Sequence, residues 1–305
     1  MKFSSAITLT IASLPSALAW GSLGHIATAY LASHLVSNTT EAHLKDLLRN
    51  QNDDYLASVA SWADSVRYTK WGRFTKNFHF IDSHDNPPDD CSVDFKRDCK
   101  AGECILTSMA NYTRQMLDAD LSPWRRAQAA KFVIHFVGDL HQPLHNEDVA
   151  HGGNSIHVLW QGKEYNLHHV WDTRIAEKWI GAHGKPTRHA RKWAVQLADE
   201  IKTGKYAAHR DAWLKDLDMD NAVDTALAWA RECNAVVCTH VFPEGPEAIR
   251  GQELSGEYFE KAGPVIERLV AQAGVRMAVW LDTAVDRYLA AVKQREEAGF
   301  LSEDL

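Results

Sequence analysis

Two histidine–aspartate pairs with the same spacing could hold a metal ion. His135 is followed four residues later by Asp139, and His168 is followed four residues later by Asp172. On a helix this spacing places both side chains on one face, one turn apart. An imidazole and a carboxylate arranged in this way can bind one metal ion between them. The stretch 135–172 also contains seven of the sixteen histidines in the chain, so we expect the chemistry to be centred there.

A single pair of this kind is more often a hydrated surface pair than a metal site. Two copies within forty residues, each among aromatic and apolar neighbours, favour the metal, because an unpartnered carboxylate or imidazole is costly to bury. The further candidate ligands are His25, Asp64, His79 and His145. The full set is too large for one tetrahedral ion and predicts a cluster. Mixed imidazole and carboxylate ligands suit zinc better than magnesium, which prefers oxygen.

Most of the elements that must position these residues are predicted to be helices. The apolar periodicity and the capping residues indicate helices at 20–36, 40–48, 53–68, 104–117, 123–140 and 168–180, and further helices from 192 to 290. A short extended run is predicted at 77–82, a loop at 83–100, and a hairpin of 156–160 with 164–167. Pro143 should end the helix near His141. His141 lies about 240° round the helix from His135 and should face away from the metal ligands. His145 lies in the loop after the helix, from which its side chain can turn back toward them. The pattern predicts one mainly helical, all-α domain with a small β-hairpin.

The first nineteen residues have the pattern of a secretory signal peptide, with Lys2, an apolar run and a small-residue cleavage site. We therefore expect a secreted, extracellular protein that starts at Trp20, with a domain at 20–290 and a flexible tail at 291–305. No segment after the signal has the length of a membrane span. The 33 basic and 40 acidic side chains give a net charge of −7, which argues against a broad basic surface for gripping duplex DNA.

Secretion permits disulfides and glycans. Five cysteines leave one unpaired if two bridges form, and fifteen arrangements are then possible from the sequence alone. Asn38 and Asn111 begin glycosylation motifs.

Several motifs together resemble one known family. In order along the chain they are WGSLGH from Trp20, SWAD, FHFID, HFVGDLHQPLH, GGN and NLHHVWD. The chain resembles the zinc-dependent single-strand-specific nucleases of fungi and plants, of the S1/P1 type, over essentially its whole length after residue 19. The resemblance implies three zinc ions. It assigns Asp64, His79, His135 and Asp139 to the first zinc, and His145, His168 and Asp172 to the second. The third would be bound by the amine and carbonyl of Trp20, by His25, and by the other oxygen of Asp139.

The resemblance also implies a nucleotide pocket and a reaction. The base would be held by Phe80, Asp82, Gly153 and Asn154, although Asp82 could instead cap a turn before Ser83. Asp64 would orient a zinc-activated water that attacks phosphorus. Arg67, where some relatives carry Lys, would contact phosphate. The expected substrates are single-stranded DNA and RNA, cleaved to 5′-phosphate nucleotides, and 3′-nucleotides.

The remaining expectations concern bridges, partners and competing functions. The resemblance pairs Cys91 with Cys238 and Cys99 with Cys104, which leaves Cys233 free. It implies no stable protein partner, no membrane and a monomer. Two other functions are open: a zinc-dependent phospholipase C, which is similar in fold and metal content, and a zinc-binding protein without catalysis.

Overall fold

The structure is a computed structural model that describes residues 20–303, with side chains through residue 298. The predicted signal peptide at 1–19 lies outside the described residues. The described chain is mainly helical. Its helices are α1 (Ser22–Ser33), α2 (Asn38–Leu48), α3 (Trp62–Val66), α4 (Phe95–Asp98), α5 (Ile105–Leu117), α6 (Pro123–Leu140), α7 (Leu167–His169), α8 (Ile175–Trp179), α9 (Pro186–Lys202), α10 (Arg210–Leu214), α11 (Ala222–Val236) and α12 (Glu257–Glu303). The predicted all-α fold with one small hairpin is confirmed.

Helix α6 is the central scaffold of the site. It begins where the sequence predicted, because the Ser122 hydroxyl accepts a hydrogen bond from the Arg125 amide and Pro123 occupies the first turn. It ends at Leu140, just before Pro143. Its second half is buried on all sides between α5, α3, α1 and α12. This helix therefore carries His135 and Asp139 into the interior.

Helix α1 packs closely against α9 and α12. At Gly274 of α12, an added Cβ would lie 2.4 Å from Leu31 Cδ2, so only glycine permits this approach of the two helices. Large aromatic side chains fill the core around them, including the fully buried Trp20, Trp171, Trp229 and Trp280. Burial of this size keeps the helices in a fixed arrangement.

The predicted hairpin is present and slightly shorter than expected. Strands β1 (His157–Trp160) and β2 (Lys163–Asn166) pair antiparallel, with His157 opposite Asn166 and Trp160 opposite Lys163. Both turn residues, Gln161 and Gly162, have positive φ (52° and 74°), which suits a two-residue hairpin turn. Strand β2 leads directly into α7 and so places His168.

Several predicted elements differ from the structure. Helix α2 begins at Asn38 rather than Thr40, because Ser37 is the N-cap and its hydroxyl accepts from the Thr40 amide. Residues 53–68 are not one helix. A 3₁₀ turn at Ala57–Val59 precedes α3, and the Ala60 carbonyl accepts from His135 Nδ1 at 2.6 Å.

The predicted extended run at 77–82 is also wrong in part. Residues Arg73–His79 form a 3₁₀ helix. After it, the Ile81 amide donates to the His145 carbonyl, and the Phe80 carbonyl accepts from the Ile105 amide. These single bonds go to two different segments, so no strand ladder forms.

The stretch expected to be a flexible tail, 291–305, is helical as far as residue 303. Helix α12 does not end near residue 290 but continues to Glu303. The stretch is rich in Lys, Arg, Glu and Ala, which are strong helix formers. Arg295 also forms an ion pair with Asp120 at 2.6 Å, which ties this part of the helix to the loop before α6.

Two disulfides tie the loop at 83–100 to the helices. Cys91 pairs with Cys238 just after α11, and Cys99 pairs with Cys104 at the start of α5. Both pairings confirm the expectation, and Cys233 is a buried free thiol within α11.

Two further sequence expectations concern the surface and the membrane. Of the two glycosylation candidates, Asn38 is exposed at the start of α2, whereas Asn111 is half-buried in α5 and accepts from Arg114. Within residues 20–303, no helix combines the length and the apolar character required to cross a bilayer.

Candidate metal centre

Three groups of buried histidine and aspartate side chains meet near the end of α6. In each group the potential ligand atoms lie within 4.8 Å of one another. The groups are His25 with His135 and Asp139, Asp64 with His79 and His135, and His145 with His168 and Asp172. The first two groups share His135, and His145 Nδ1 of the third lies 4.0 Å from Asp139 Oδ1. The three groups, which contain every candidate ligand side chain from the sequence, are together called the metal centre.

Asp139 lies between two of these groups. Its Oδ1 atom is 3.1 Å from His25 Nε2, and its Oδ2 atom is 3.0 Å from His79 Nδ1 and 3.2 Å from His135 Nε2. The two oxygens of one carboxylate thus face different histidines. This is the arrangement required of a carboxylate that bridges two cations.

A glycine allows α1 to reach the metal centre. A Cβ at Gly138 would lie 2.6 Å from His25 Nδ1, which is too close for a carbon atom. With glycine there, the His25 ring stacks on His135 with centroids 4.0 Å apart. Gly138 was not among the site residues predicted from the sequence. The available signal was a glycine inside a helix, which usually has a packing reason.

Backbone carbonyls fix the tautomer of three histidines. His135 Nδ1 donates to the Ala60 carbonyl, His145 Nδ1 to the His79 carbonyl, and His168 Nδ1 to the Gly152 carbonyl. Each Nδ1 therefore carries a proton, which leaves Nε2 as the atom that can bind a metal ion. Metal-binding histidines in proteins are held in the same way.

The second carboxylate of this region is also held in place. His168 Nε2 lies 3.3 Å from Asp172 Oδ2, and the Gln142 side chain donates to Asp172 Oδ1 at 2.5 Å. Sequence reasoning missed Gln142, and its position between His141 and His145 was the only hint.

The expected start of the mature chain lies beside Asp172. The Gly21 amide donates to the Asp172 carbonyl at 2.7 Å. Trp20 is fully buried and packs on Gly24, where a Cβ would be 3.0 Å from Trp20 Cβ. Trp20 precedes α1 and His25 lies in its first turn, so both belong to the short segment that contacts Asp172 and Asp139.

The buried carboxylates of Asp139 and Asp64 favour a bound cation. Burial lowers the pKa of His79 to about 4 and, with the charge of His145, lowers the pKa of His168 to about 3, so both imidazoles stay neutral. Burial opposes protonation of His135 too, but the carboxylates of Asp139 and Asp64 outweigh it and raise its pKa to about 10. Without a metal ion, the His135 imidazole therefore carries a positive charge. A bound divalent cation would meet the same demand and release that proton.

The donor atoms fit zinc. Several buried ligand atoms have no hydrogen-bond partner within the described residues: His25 Nε2, Asp64 Oδ1, Asp139 Oδ1, His145 Nε2 and Asp172 Oδ2. Buried polar atoms are rarely left unpaired. Tetrahedral zinc with nitrogen and oxygen ligands places neighbouring ligand atoms about 3.3 Å apart. The closest spacings around Asp139 and Asp172, 3.0–3.3 Å, agree with this value.

A cavity of about 670 Å³ opens beside the metal centre. It is lined by Phe80, Asp82 and Asn154 from the predicted nucleotide pocket, and by His145 and His168 from the metal centre. Gly153 is buried beneath it against Leu144, while its neighbour Gly152 reaches the surface of the cavity. Burial, together with the charge of Asp148, raises the pKa of Asp82.

The cavity joins the metal centre through Arg67. This side chain lines the cavity, and its Nη2 atom lies 3.4 Å from Asp64 Oδ1. Its guanidinium also stacks on the Tyr68 ring at 5.2 Å. A phosphate in the cavity could therefore meet a cationic side chain next to the cluster. Sequence reasoning missed several other lining residues: Tyr68, Arg73, Lys76, Leu144, Glu147, Asp148 and His151.

Two of the other histidines in the stretch 135–172 pack against groups outside the metal centre, and the helical spacing predicted this for His141. His141 Nε2 accepts from Arg276 Nη1 at 3.0 Å on the other side of α6. His169 stacks on Tyr165 with ring centroids 5.4 Å apart.

Comparison with known proteins agrees with the geometry. A family model described as S1/P1 Nuclease matches residues 20–286. The chain belongs to the S1/P1 nuclease family. It is therefore a phosphodiester hydrolase of the nuclease class.

Individual relatives cover nearly the whole chain. Nuclease S1 of Aspergillus oryzae is 42% identical over 278 residues, which is 91% of this chain and 95% of that protein. Nuclease P1 of Penicillium citrinum is 41% identical over 263 residues, 86% of this chain and 97% of that protein. Endonuclease 2 of Arabidopsis thaliana is 29% identical over 285 residues, 88% and 91% of the two chains. The family match begins at Trp20 and includes every candidate ligand of the metal centre.

Proposed function

We propose that this S1/P1 family member is a secreted zinc-dependent nuclease that hydrolyses single-stranded DNA and RNA to 5′-phosphate nucleotides, and that it also acts on 3′-nucleotides. The observation that carries this proposal is the position of a base-sized cavity directly beside a buried cluster of unpaired metal-ligand atoms. A nucleotide whose base enters the cavity would have its phosphate next to the cluster.

The proposed ligand sets use the side chains of the three groups, with His135 assigned to the first zinc and Trp20 added to the third. The first zinc would be bound by Asp64, His79, His135 and Asp139, and the second by His145, His168 and Asp172. The third would be bound by the Trp20 amine and carbonyl, His25 and the second oxygen of Asp139. Zinc at these positions would supply Lewis-acid chemistry, which activates water at neutral pH and offsets charge on phosphate oxygens.

Asp64 and Arg67 are the proposed catalytic side chains. Burial works to raise the pKa of Asp64, but its interactions with His135, His25 and Arg67 outweigh it and lower the pKa to about 2. The carboxylate is therefore ionised and can accept a hydrogen bond from an attacking water. Arg67 can donate to an equatorial phosphate oxygen, where negative charge grows during in-line displacement.

The cavity gives a physical reason for single-strand preference. Phe80 offers a ring for stacking, Asp82 can accept from an exocyclic amine, and the Asn154 amide is held in place by a bond to the His151 carbonyl. A paired base would have to unpair and unstack before it could enter. Few groups read base identity, so we expect little sequence specificity.

The decisive experiment compares heat-denatured with duplex DNA as substrates for the zinc-loaded protein that starts at Trp20. We expect nucleotides to be released from the denatured strand at least about ten-fold faster, since opening each base pair costs a few kcal/mol. Equal rates would contradict the single-strand proposal. Release of headgroup from phosphatidylcholine vesicles without nucleolysis would instead support the phospholipase C function, and zinc binding without either reaction would support a non-catalytic role.

A further inference from the structure

Exposed aromatic side chains are concentrated in one short segment near the cavity. Six large apolar side chains are highly exposed among the residues with described side chains, and three of these lie within seven residues. These are Tyr68 at 63%, Trp71 at 56% and Phe74 at 63% exposure. A cluster of exposed aromatic residues on a water-soluble surface usually marks an interaction site.

The same segment is positively charged, although the protein as a whole is negatively charged. Residues 67–76 contain four basic side chains and no acidic one, although the whole chain has a net charge of −7. Lys70, Arg73 and Lys76 are all exposed. A local basic patch on an acidic protein would attract a polyanion to this position rather than to the surface in general.

Hydrogen bonds hold the segment in one conformation. The Thr69 hydroxyl donates to the Val66 carbonyl and accepts from the Gly72 amide, and the Thr75 hydroxyl donates to the Gly72 carbonyl. Gly72 itself is packed so closely that a Cβ would lie 2.3 Å from the Val66 carbonyl oxygen. The aromatic and basic side chains therefore project from a preorganised turn.

The segment is continuous with the cavity. Arg73 and Lys76 line the cavity that also contains Phe80 and Asp82. Trp71 and Phe74 lie farther out, where they contact Trp62 and Phe78 with ring centroids 6.1 Å and 5.8 Å apart. A chain whose one base occupies the cavity could continue past Arg73 and Lys76 onto these outer rings.

We propose that Lys70, Trp71, Arg73, Phe74 and Lys76 form a strand-binding platform, which holds additional nucleotides of a single-stranded nucleic acid outside the cavity. This inference rests on the proposed nuclease function and deepens it. Trp71 and Phe74 stack with bases, and the three basic side chains neutralise phosphates between them. Exposed rings interleaved with cations are the combination that binds single strands without sequence preference.

The first test measures how affinity depends on substrate length. In the zinc-loaded wild type, KM should fall from a dinucleotide to a dodecanucleotide of thymidine, because only the longer strand reaches the platform. In W71A/F74A the ratio of the dinucleotide KM to the dodecanucleotide KM should fall at least about ten-fold, since each stacked base contributes about five-fold or more to affinity. W124A is the matched control, because Trp124 is 67% exposed at the opposite end of α6.

A binding measurement separates the platform from catalysis. The anisotropy of a fluorescein-labelled thymidine dodecamer with phosphorothioate linkages, which slow hydrolysis, reports its dissociation constant directly. W71A/F74A should bind it at least about ten-fold more weakly than the wild type and W124A. Equal binding by all three proteins would overturn the platform, even if nuclease activity is confirmed. Binding that depends on Trp71 and Phe74 would support the platform, even if no substrate is cleaved.

The basic side chains make a second, independent test. For single strands, the slope of log affinity against log salt concentration changes by about 0.7 for each phosphate that the protein no longer neutralises. R73Q/K76Q should therefore reduce the slope by about 1.4. The charge-matched control K202Q/K293Q, with exposed lysines on α9 and α12, should keep the wild-type slope. The same slope in both variants would show that Arg73 and Lys76 do not bind the strand.

Discussion

Helix α6 borders two polar clusters that each contain a buried histidine and a carboxylate but are completed in different ways. In the metal centre, His135 and Asp139 meet ligand atoms that have no hydrogen-bond partner within the described residues. On the other side of the same helix end, His141 belongs to a cluster with Arg276 and Glu232, which we call the arginine network.

The arginine network is complete within the protein. His141 Nδ1 donates to the Val137 carbonyl, and its Nε2 accepts from Arg276. Arg276 also donates to the Trp213 carbonyl and to Glu232, which accepts a further bond from Gln272. Burial and the charge of Arg276 lower the pKa of His141 to about 3, so this ring stays neutral as an acceptor.

The difference between the two clusters distinguishes a structural role from a binding role. A buried histidine is not in itself a sign of function, because the protein can satisfy both ring nitrogens, as it does for His141. The sign is a set of buried donors and acceptors that converge on one point and stay unpaired. The following predictions test this distinction, from the largest expected effect to the smallest.

Asp139→Asn should have the largest effect. The amide lacks the charge that the two facing ligand groups require, so we expect kcat to fall at least about a thousand-fold, or about 4 kcal/mol. Metal analysis of the purified protein should show fewer zinc ions per chain. Full zinc content together with full activity would exclude the proposed bridging role of Asp139.

Removal of zinc by a chelator should lower the free energy of unfolding of the protein. At a free zinc concentration of one hundred times Kd, each site that binds only the folded chain contributes about 2.7 kcal/mol. Denaturant unfolding with and without chelator measures this difference, and added zinc should restore it. An unchanged unfolding midpoint would mean that the metal centre is satisfied without a cation, as the arginine network is.

His141→Ala should weaken the fold without touching the metal. The change leaves Arg276 without one acceptor and opens a cavity, so we expect a loss of about 2–3 kcal/mol in the free energy of unfolding. Zinc content should stay at the wild-type level. His145→Ala, a substitution of the same kind only four residues along the chain, is the counterpart, and it should lose zinc. Zinc loss in the His141 variant would break the distinction between the two clusters.

Gly138→Ala should have a smaller effect, confined to the α1 side of the metal centre. The new methyl group would overlap His25, and overpacking of this kind costs about 2 kcal/mol. We expect weaker binding of the zinc that His25 holds, measured by competition with a chelator. Gly256→Ala is the control, since a Cβ there meets no atom within 4 Å. Identical zinc affinity in both variants would show that the contact between α1 and α6 does not determine how tightly the site binds zinc.

The regular part of the fold could be read from the sequence because local signals agreed there. Ser122, Pro123 and Pro143 marked both ends of α6, and Gln161-Gly162 marked the hairpin. One prediction failed where a distant side chain forms a hydrogen bond with a backbone atom. The helix expected over 53–68 is interrupted where the Ala60 carbonyl accepts from His135, a residue seventy-five positions away. No local pattern contains that hydrogen bond.

The sequence by itself determined the chemistry of this protein: the four-residue spacing of His and Asp, the order of the motifs, and the family to which they belong. These depend on residue identity and helical periodicity, both of which are local. Only the tertiary structure decided which atoms face one another. The two oxygens of Asp139 are divided between His25 and His79, Gly138 lets α1 approach, and the segment 68–76 leaves its rings exposed beside the cavity. Such relations depend on how helices pack across the whole chain, which spacing along the sequence does not encode.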